Sequence, residues 1–161
     1  MIRRLWMSRL QANWFISEAS DHEPQETGGI LMGYYDMNED VVVTNVIGPG
    51  PRAVHSPTTF KPDYAWQRGE VARVYEEQNR FVTYLGDWHT HPASDPTPSD
   101  RDRQTLRAIA GSRAARCPEP VMLIFGWGSN REWVAGAVQR TARRGPRRIE
   151  PLQVALGRWD P

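Results

Sequence analysis

One cysteine, Cys117, and one lysine, Lys61, are all that this chain of 161 residues holds of either type. A lone cysteine excludes an intramolecular disulfide framework and any cysteine pair as metal ligands, and it suits a reducing compartment. The scarcity of lysine beside nineteen arginines is what a GC-rich coding bias produces. Long apolar runs are missing as well: no stretch approaches the length of a membrane span. The opening residues Met1-Ile2-Arg3-Arg4-Leu5-Trp6 lack the apolar core of a signal peptide. A soluble, cytoplasmic protein is therefore expected. Excess charge is also lacking, since a formal net charge of +1 exerts no pull toward nucleic acid or a membrane, and neither is expected as a partner. Only residues 140–148, Arg-Thr-Ala-Arg-Arg-Gly-Pro-Arg-Arg, are locally basic. They read as a solvated turn between two late strands, with an acidic partner or a phosphate backbone as the alternative.

What is present suffices for a core. Apolar residues make up 39% of the chain and seven tryptophans are among them, enough for one domain over residues 1–161. The pattern alternates helices and strands without internal repeats. Residues 2–7 read as a strand, and Ser8 caps a helix to about residue 20, with Leu10, Trp14, Phe15 and Ile16 giving its apolar side. Residues 29–35 and 41–47 form a strand pair around Asp36-Met37-Asn38-Glu39-Asp40. Residues 49–62 are a loop rich in Gly, Pro and Ser; a helix over residues 63–78 follows, then a strand over 81–91. A turn-rich connector at 92–98 leads to a helix from Ser99 to about residue 114. Strands at 121–127 and 132–140 pair across Gly128-Ser129-Asn130, and residues 149–156 are the strand that would close the sheet.

The stretch that carries chemistry is His89-Thr90-His91-Pro92 with Ser99 and Asp102 behind it. Histidines at i and i+2 of an extended segment project to one face, so their ring nitrogens can converge on one ion. Asp102 supplies a third ligand. Three protein ligands leave a fourth tetrahedral position for water, which is the arrangement of a catalytic zinc ion. Ser99 after Pro98 is also a good N-cap, and Asp102 in the first turn favours the helix dipole. The two roles coexist, because capping supplies the rigidity that a metal ligand and an oxyanion donor require.

This spacing, His-x-His, seven residues, Ser, two residues, Asp, resembles the metal-binding signature of the JAB1/MPN/Mov34 metalloprotease family, with every position filled. That family also carries an upstream glutamate before a Gly-containing hydrophobic strand. Glu26-Thr27-Gly28-Gly29-Ile30-Leu31-Met32-Gly33 offers Glu26 as its match. The string Gly86-Asp87-Trp88-His89-Thr90-His91-Pro92 is similar to the bacterial branch found among mobile-element and antiviral-defence genes. The resemblance implies an α+β protein of the α/β three-layer type, a central mixed β-sheet flanked by helices in the cytidine-deaminase-like JAB/MPN fold.

The resemblance also implies a mechanism. Zinc held by His89, His91 and Asp102 makes water nucleophilic at neutral pH, Glu26 acts as general base and proton shuttle, and Ser99 donates to the developing oxyanion. Asp87, two residues before His89 and of the same strand parity, is nominated to orient that histidine, with an ordinary strand-edge acid as the alternative. His55 and Phe60, in the loop at residues 48–62, are candidates for the wall of a substrate groove, and a loop without substrate contact is the alternative. The implied activity is a zinc isopeptidase cutting after the C-terminal glycine of a ubiquitin-like protein, with E1-like and E2-like enzymes as partners of the same pathway. Few lysines would suit such a setting. The alternatives are a zinc peptidase or amidase acting on cell-wall or other small peptides, and a non-catalytic scaffold. The short segment at residues 111–120 leaves little room for the insertion that some relatives use to recognise polyubiquitin linkages.

Overall fold

The computed structural model describes residues 3–142 and 145–157. Strand β1 (Arg4–Ser8) turns Leu5 and Met7 inward and hands over to helix α1 (Arg9–His22). Ser8 starts that helix with a capping box: its hydroxyl accepts from Gln11 N–H at 3.0 Å, and Gln11 Oε1 accepts from Ser8 N–H at 2.8 Å. The expected apolar side is corrected here. Phe15 and Ala19, four residues apart, are the buried pair, while Leu10, Trp14 and Ile16 are partly exposed and Trp14 sets its ring edge-on against Phe15 and Trp88.

Strands β2 (Gly28–Tyr35) and β3 (Val41–Ile47) are antiparallel. Asp36 shapes the turn between them by accepting from the N–H groups of Asn38 and Asp40. Within the expected loop lie two short strands, β4 (Val54–His55) and β5 (Phe60–Lys61), which pair as a separate hairpin. Helix α2 (Tyr64–Glu77) is capped by Asp63, whose carboxylate accepts from Trp66 N–H. Then come β6 (Thr83–His91), helix α3 (Asp100–Gly111), β7 (Val121–Trp127), β8 (Trp133–Thr141) and β9 (Arg148–Gly157).

The sheet is mixed, in the order β1-β3-β2-β6-β7-β8-β9, with helices packed on it. What the resemblance did not imply is closure. β9 pairs in parallel with β1, Arg4 facing Gln153 through Ser8 facing Gly157, so the sheet joins into a barrel. Its core holds Leu5, Leu31, Val43, Leu123 and Phe125 with Phe15 of α1, which stacks on Phe125 at 4.8 Å. On the opposite face of the strands, α2 packs Val74 against Met32 and Ile47, and α3 packs Leu106 against Met122 and Ile124. Alternate residues of β7 are thus buried on opposite faces, which is why the strand reads as an unbroken apolar run.

One irregularity aims the site. Between β2 and β6 the register jumps from Leu31 opposite Gly86 to Met32 opposite Tyr84, leaving Leu85 as an extra residue. Gly86 sits there at φ +147°, a conformation that side chains rarely adopt. Leu85 and Trp88, three residues apart, therefore both reach the core. Asp87, His89 and His91 are turned to the other side of the strand.

In the basic stretch, Arg140 donates to the Pro118 carbonyl and Arg148 pairs with Glu150. Arg143 and Arg144 lie outside the described residues. No helix among the described residues is long and apolar enough to cross a membrane.

Candidate metal centre

His89 and His91 stand at the end of β6, and Asp102 lies on the first turn of α3. The intervening connector is stapled to β7: Trp127 Nε1–H donates to the Pro92 carbonyl at 2.7 Å, and Trp127 N–H donates to the Ser94 carbonyl at 2.8 Å. α3 begins with a second capping box. Ser99 N–H and the Ser99 hydroxyl each donate to Asp102 Oδ2 at 2.7 Å, and Asp102 N–H donates back to the hydroxyl.

These supports bring three sequence-nominated residues together. His89 Nε2 and His91 Nε2 are 3.0 Å apart; Asp102 Oδ1 is 3.2 Å from the first and Oδ2 is 3.3 Å from the second. The group could hold a metal ion. His91 Nδ1 lies 3.0 Å from the Asp95 carbonyl, and a carbonyl only accepts, so Nδ1 carries a proton. In the neutral ring the lone pair then sits on Nε2, facing His89 and Asp102. Burial opposes charge on Asp102, but His89 and His91, which donate to it when protonated at Nε2, and the Ser99 hydroxyl win and hold its carboxyl far below the usual range. Burial likewise lowers the basicity of His91, yet its bond to Asp102 and the Asp95 carbonyl raise it overall.

Glu26 is half-buried in the segment between α1 and β2. Burial raises its carboxyl above the ordinary value, partly offset by the nearby charges of His89 and His91. The next residue is locked to the histidine strand: Thr27 N–H donates to Thr90 Oγ1 at 3.0 Å, and Thr90 N–H to the Thr27 carbonyl at 2.9 Å.

Ser99 takes the capping position expected of it, while Asp87 meets a different partner. The Ser99 hydroxyl is engaged with Asp102. Asp87 accepts from the Tyr84 hydroxyl at 2.8 Å, and burial raises its carboxyl; no hydrogen bond joins it to a histidine among the described residues. His55 and Phe60 are engaged within the protein, His55 Nδ1 lying 2.9 Å from the Glu26 carbonyl and the two rings 5.4 Å apart. Sequence reasoning missed Asp95, although Asp95-Pro96 signals a turn: its side chain accepts from Thr97 N–H, fixing the carbonyl that orients His91.

A family model described as prokaryotic homologs of the JAB domain matches residues 12–140. The chain belongs to this family. The JAB domain is 37% identical over 138 residues to a probable metalloprotease from Sinorhizobium fredii, spanning 85% of this chain and 84% of the relative. It is 31% identical to a CD-NTase/cGAS isopeptidase from Enterobacter hormaechei, spanning 86% and 73%. A solution structure of a Desulfitobacterium hafniense protein superposes with a TM-score of 0.65, covering 95% of this chain and 92% of that one. At 22% identity that likeness concerns the JAB fold alone. The domain thus sits in a family with named metalloprotease and isopeptidase members.

Proposed function

We propose that this JAB domain is a zinc-dependent isopeptidase that hydrolyses the bond after the C-terminal glycine of a ubiquitin-like protein, freeing it from conjugates or maturing its precursor. The observation that carries the reading is the convergence of His89 Nε2, His91 Nε2 and the Asp102 carboxylate, with Glu26 beside them. Bonds of ~2.0–2.1 Å to a tetrahedral zinc ion put ligand atoms about 3.3 Å apart. The contacts of 3.0 to 3.3 Å are close to that spacing before any adjustment. An all-imidazole and carboxylate donor set fits zinc, and three ligands leave room for water.

Zinc, when bound, supplies Lewis acidity that makes water nucleophilic near neutral pH. Glu26 accepts the proton of the attacking water on its carboxylate and returns it to the departing amine nitrogen. Its raised carboxyl suits that task, since a weaker acid holds the proton longer. Ser99 is assigned to the developing oxyanion. Rotation of its hydroxyl away from Asp102 would leave the ligand held by Ser99 N–H at 2.7 Å.

The isopeptidase relatives support the bond type and the setting. By extension from their names, the conjugate would be a CD-NTase, within a cytoplasmic antiviral-defence pathway that also employs E1-like and E2-like enzymes. Mass spectrometry tests the reading directly. The zinc-loaded protein is offered a ubiquitin-like domain joined through its terminal glycine to a lysine side chain and, separately, to a linear peptide. Cleavage of the isopeptide that vanishes with Glu26→Gln is expected; equal cleavage by that variant would sink the general-base assignment.

A further inference from the structure

The hairpin of β4 and β5 holds the main chain of Glu26 from both sides. Glu26 N–H donates to the Ser56 carbonyl at 2.8 Å, and the Glu26 carbonyl accepts from His55 at 2.9 Å. Because a carbonyl has no proton to give, His55 Nδ1 must carry the hydrogen of that bond. Both peptide groups of the glutamate are thus satisfied by two consecutive residues of an element 29 positions away in sequence.

The donor is itself fixed. The His55 ring stacks on His22 at 4.2 Å with 27° between the planes, and it lies 5.4 Å from Phe60 across the hairpin. His22 in turn is held by the last turn of α1, its Nδ1 lying 3.0 Å from the Glu18 carbonyl. Phe60 rests against Gly28, where an added Cβ would come within 2.8 Å of the Phe60 ring and 2.6 Å of the Trp88 carbonyl. Gly28 is the β2 residue paired with His89. The hairpin tip is closed by Ser56 and Thr59, which exchange main-chain and hydroxyl hydrogen bonds. One packed chain of contacts therefore runs from α1 through His22, His55 and Phe60 to the strand pair that carries the histidine ligands.

We infer that His55 is a positioning residue for Glu26: its Nδ1–H, aimed by the stack on His22, sets the peptide plane of the glutamate and with it the direction of the carboxylate. The inference rests on the reading of Glu26 as general base. Glu26 N–H is tied to Ser56, and Thr27 N–H, in the same peptide unit as the Glu26 carbonyl, is tied to Thr90, so the His55 bond completes the set that fixes the residue. A small rotation there swings the carboxylate by an ångström or more, a displacement that costs on the order of a hundredfold in a proton-transfer step.

Two substitutions separate the donor from the ring. His55→Phe keeps an aromatic face for His22 and removes the donor, whereas His55→Asn restores an N–H near the position of Nδ1. Turnover, zinc content and hydrogen exchange of the Thr27 amide, which shares a peptide unit with the Glu26 carbonyl, are measured for both. For His55→Phe, kcat should fall about tenfold or more with KM and zinc content unchanged, and Thr27 amide exchange should quicken by about tenfold. His55→Asn should recover most of both effects. Unchanged exchange in His55→Phe, unchanged kcat despite faster exchange, or failure of His55→Asn to improve on His55→Phe would overturn the inference. Glu26→Gln, run alongside, identifies the separate failure: full activity there removes the base, while the exchange data still report whether His55 holds residue 26.

Discussion

At the scale of single residues, proton bookkeeping decides what the centre can do. His91 is more basic than an ordinary imidazole, and metal ligation needs the lone pair on its Nε2. Protons therefore compete for that atom as the pH falls through the raised value, while above it the competition vanishes. Zinc affinity, followed by chelator competition between about pH 8 and 5, should drop as His91 takes up its proton; a flat profile would contradict His91 as a ligand. Cys117 illustrates the opposite extreme. Burial, helped by the charge of Asp87, pushes its thiol up to about 12, and its Sγ–H lies 3.5 Å from the Leu85 carbonyl. The native protein should resist iodoacetamide near neutral pH and react only once unfolded, which intact mass before and after denaturant would reveal. Fast labelling of the folded chain would contradict that environment.

The elements show why parts of the fold could be read and others not. Ser8 and Asp63 are local signals, and the helices start where those caps put them. The helix after Ser99 stops at Gly111, a few residues short of the expected end, with Ser112 in an extended conformation. β4 and β5 are two residues each within a Gly- and Pro-rich stretch, too short to carry a period. The grouping of His89, His91 and Asp102 was legible because its spacing is local to a strand end and a helix start. The carbonyl of Asp95 was not, since any residue type has one, and the partner of Asp87 was lost to Tyr84 three residues earlier. Strand parity placed Asp87 on the face of His89 but could not say which neighbour claims its carboxylate. The bulge at Gly86 makes a sharp prediction. A Cβ there would come 1.9 Å from the Val121 carbonyl in a backbone region closed to side chains. Gly86→Ala should cost at least ~1–3 kcal/mol and weaken zinc binding through β6, measured by urea denaturation and metal content. Wild-type values for both would show that the bulge does not aim the histidines.

For the molecule as a whole, the core is shared between a closed sheet and one aromatic side chain of α1. Phe15 is fully buried between Phe125 and Trp88, at 4.8 and 5.0 Å. Phe15→Ala should lower stability by about 3–5 kcal/mol, read from the urea midpoint with an unchanged slope. A loss under 1 kcal/mol would mean that the barrel packs without the helix. The parallel pairing of β1 with β9 has a mechanical meaning. Arg4 and Gly157 sit at opposite ends of that pair, so tension applied between them slides one strand along the other. Hydrogen bonds along the whole overlap then bear the load together instead of peeling open one after another. A protein pulled through these two points would resist extension until the ladder ruptured at once, giving a single high force peak and a lifetime under load governed by that one barrier.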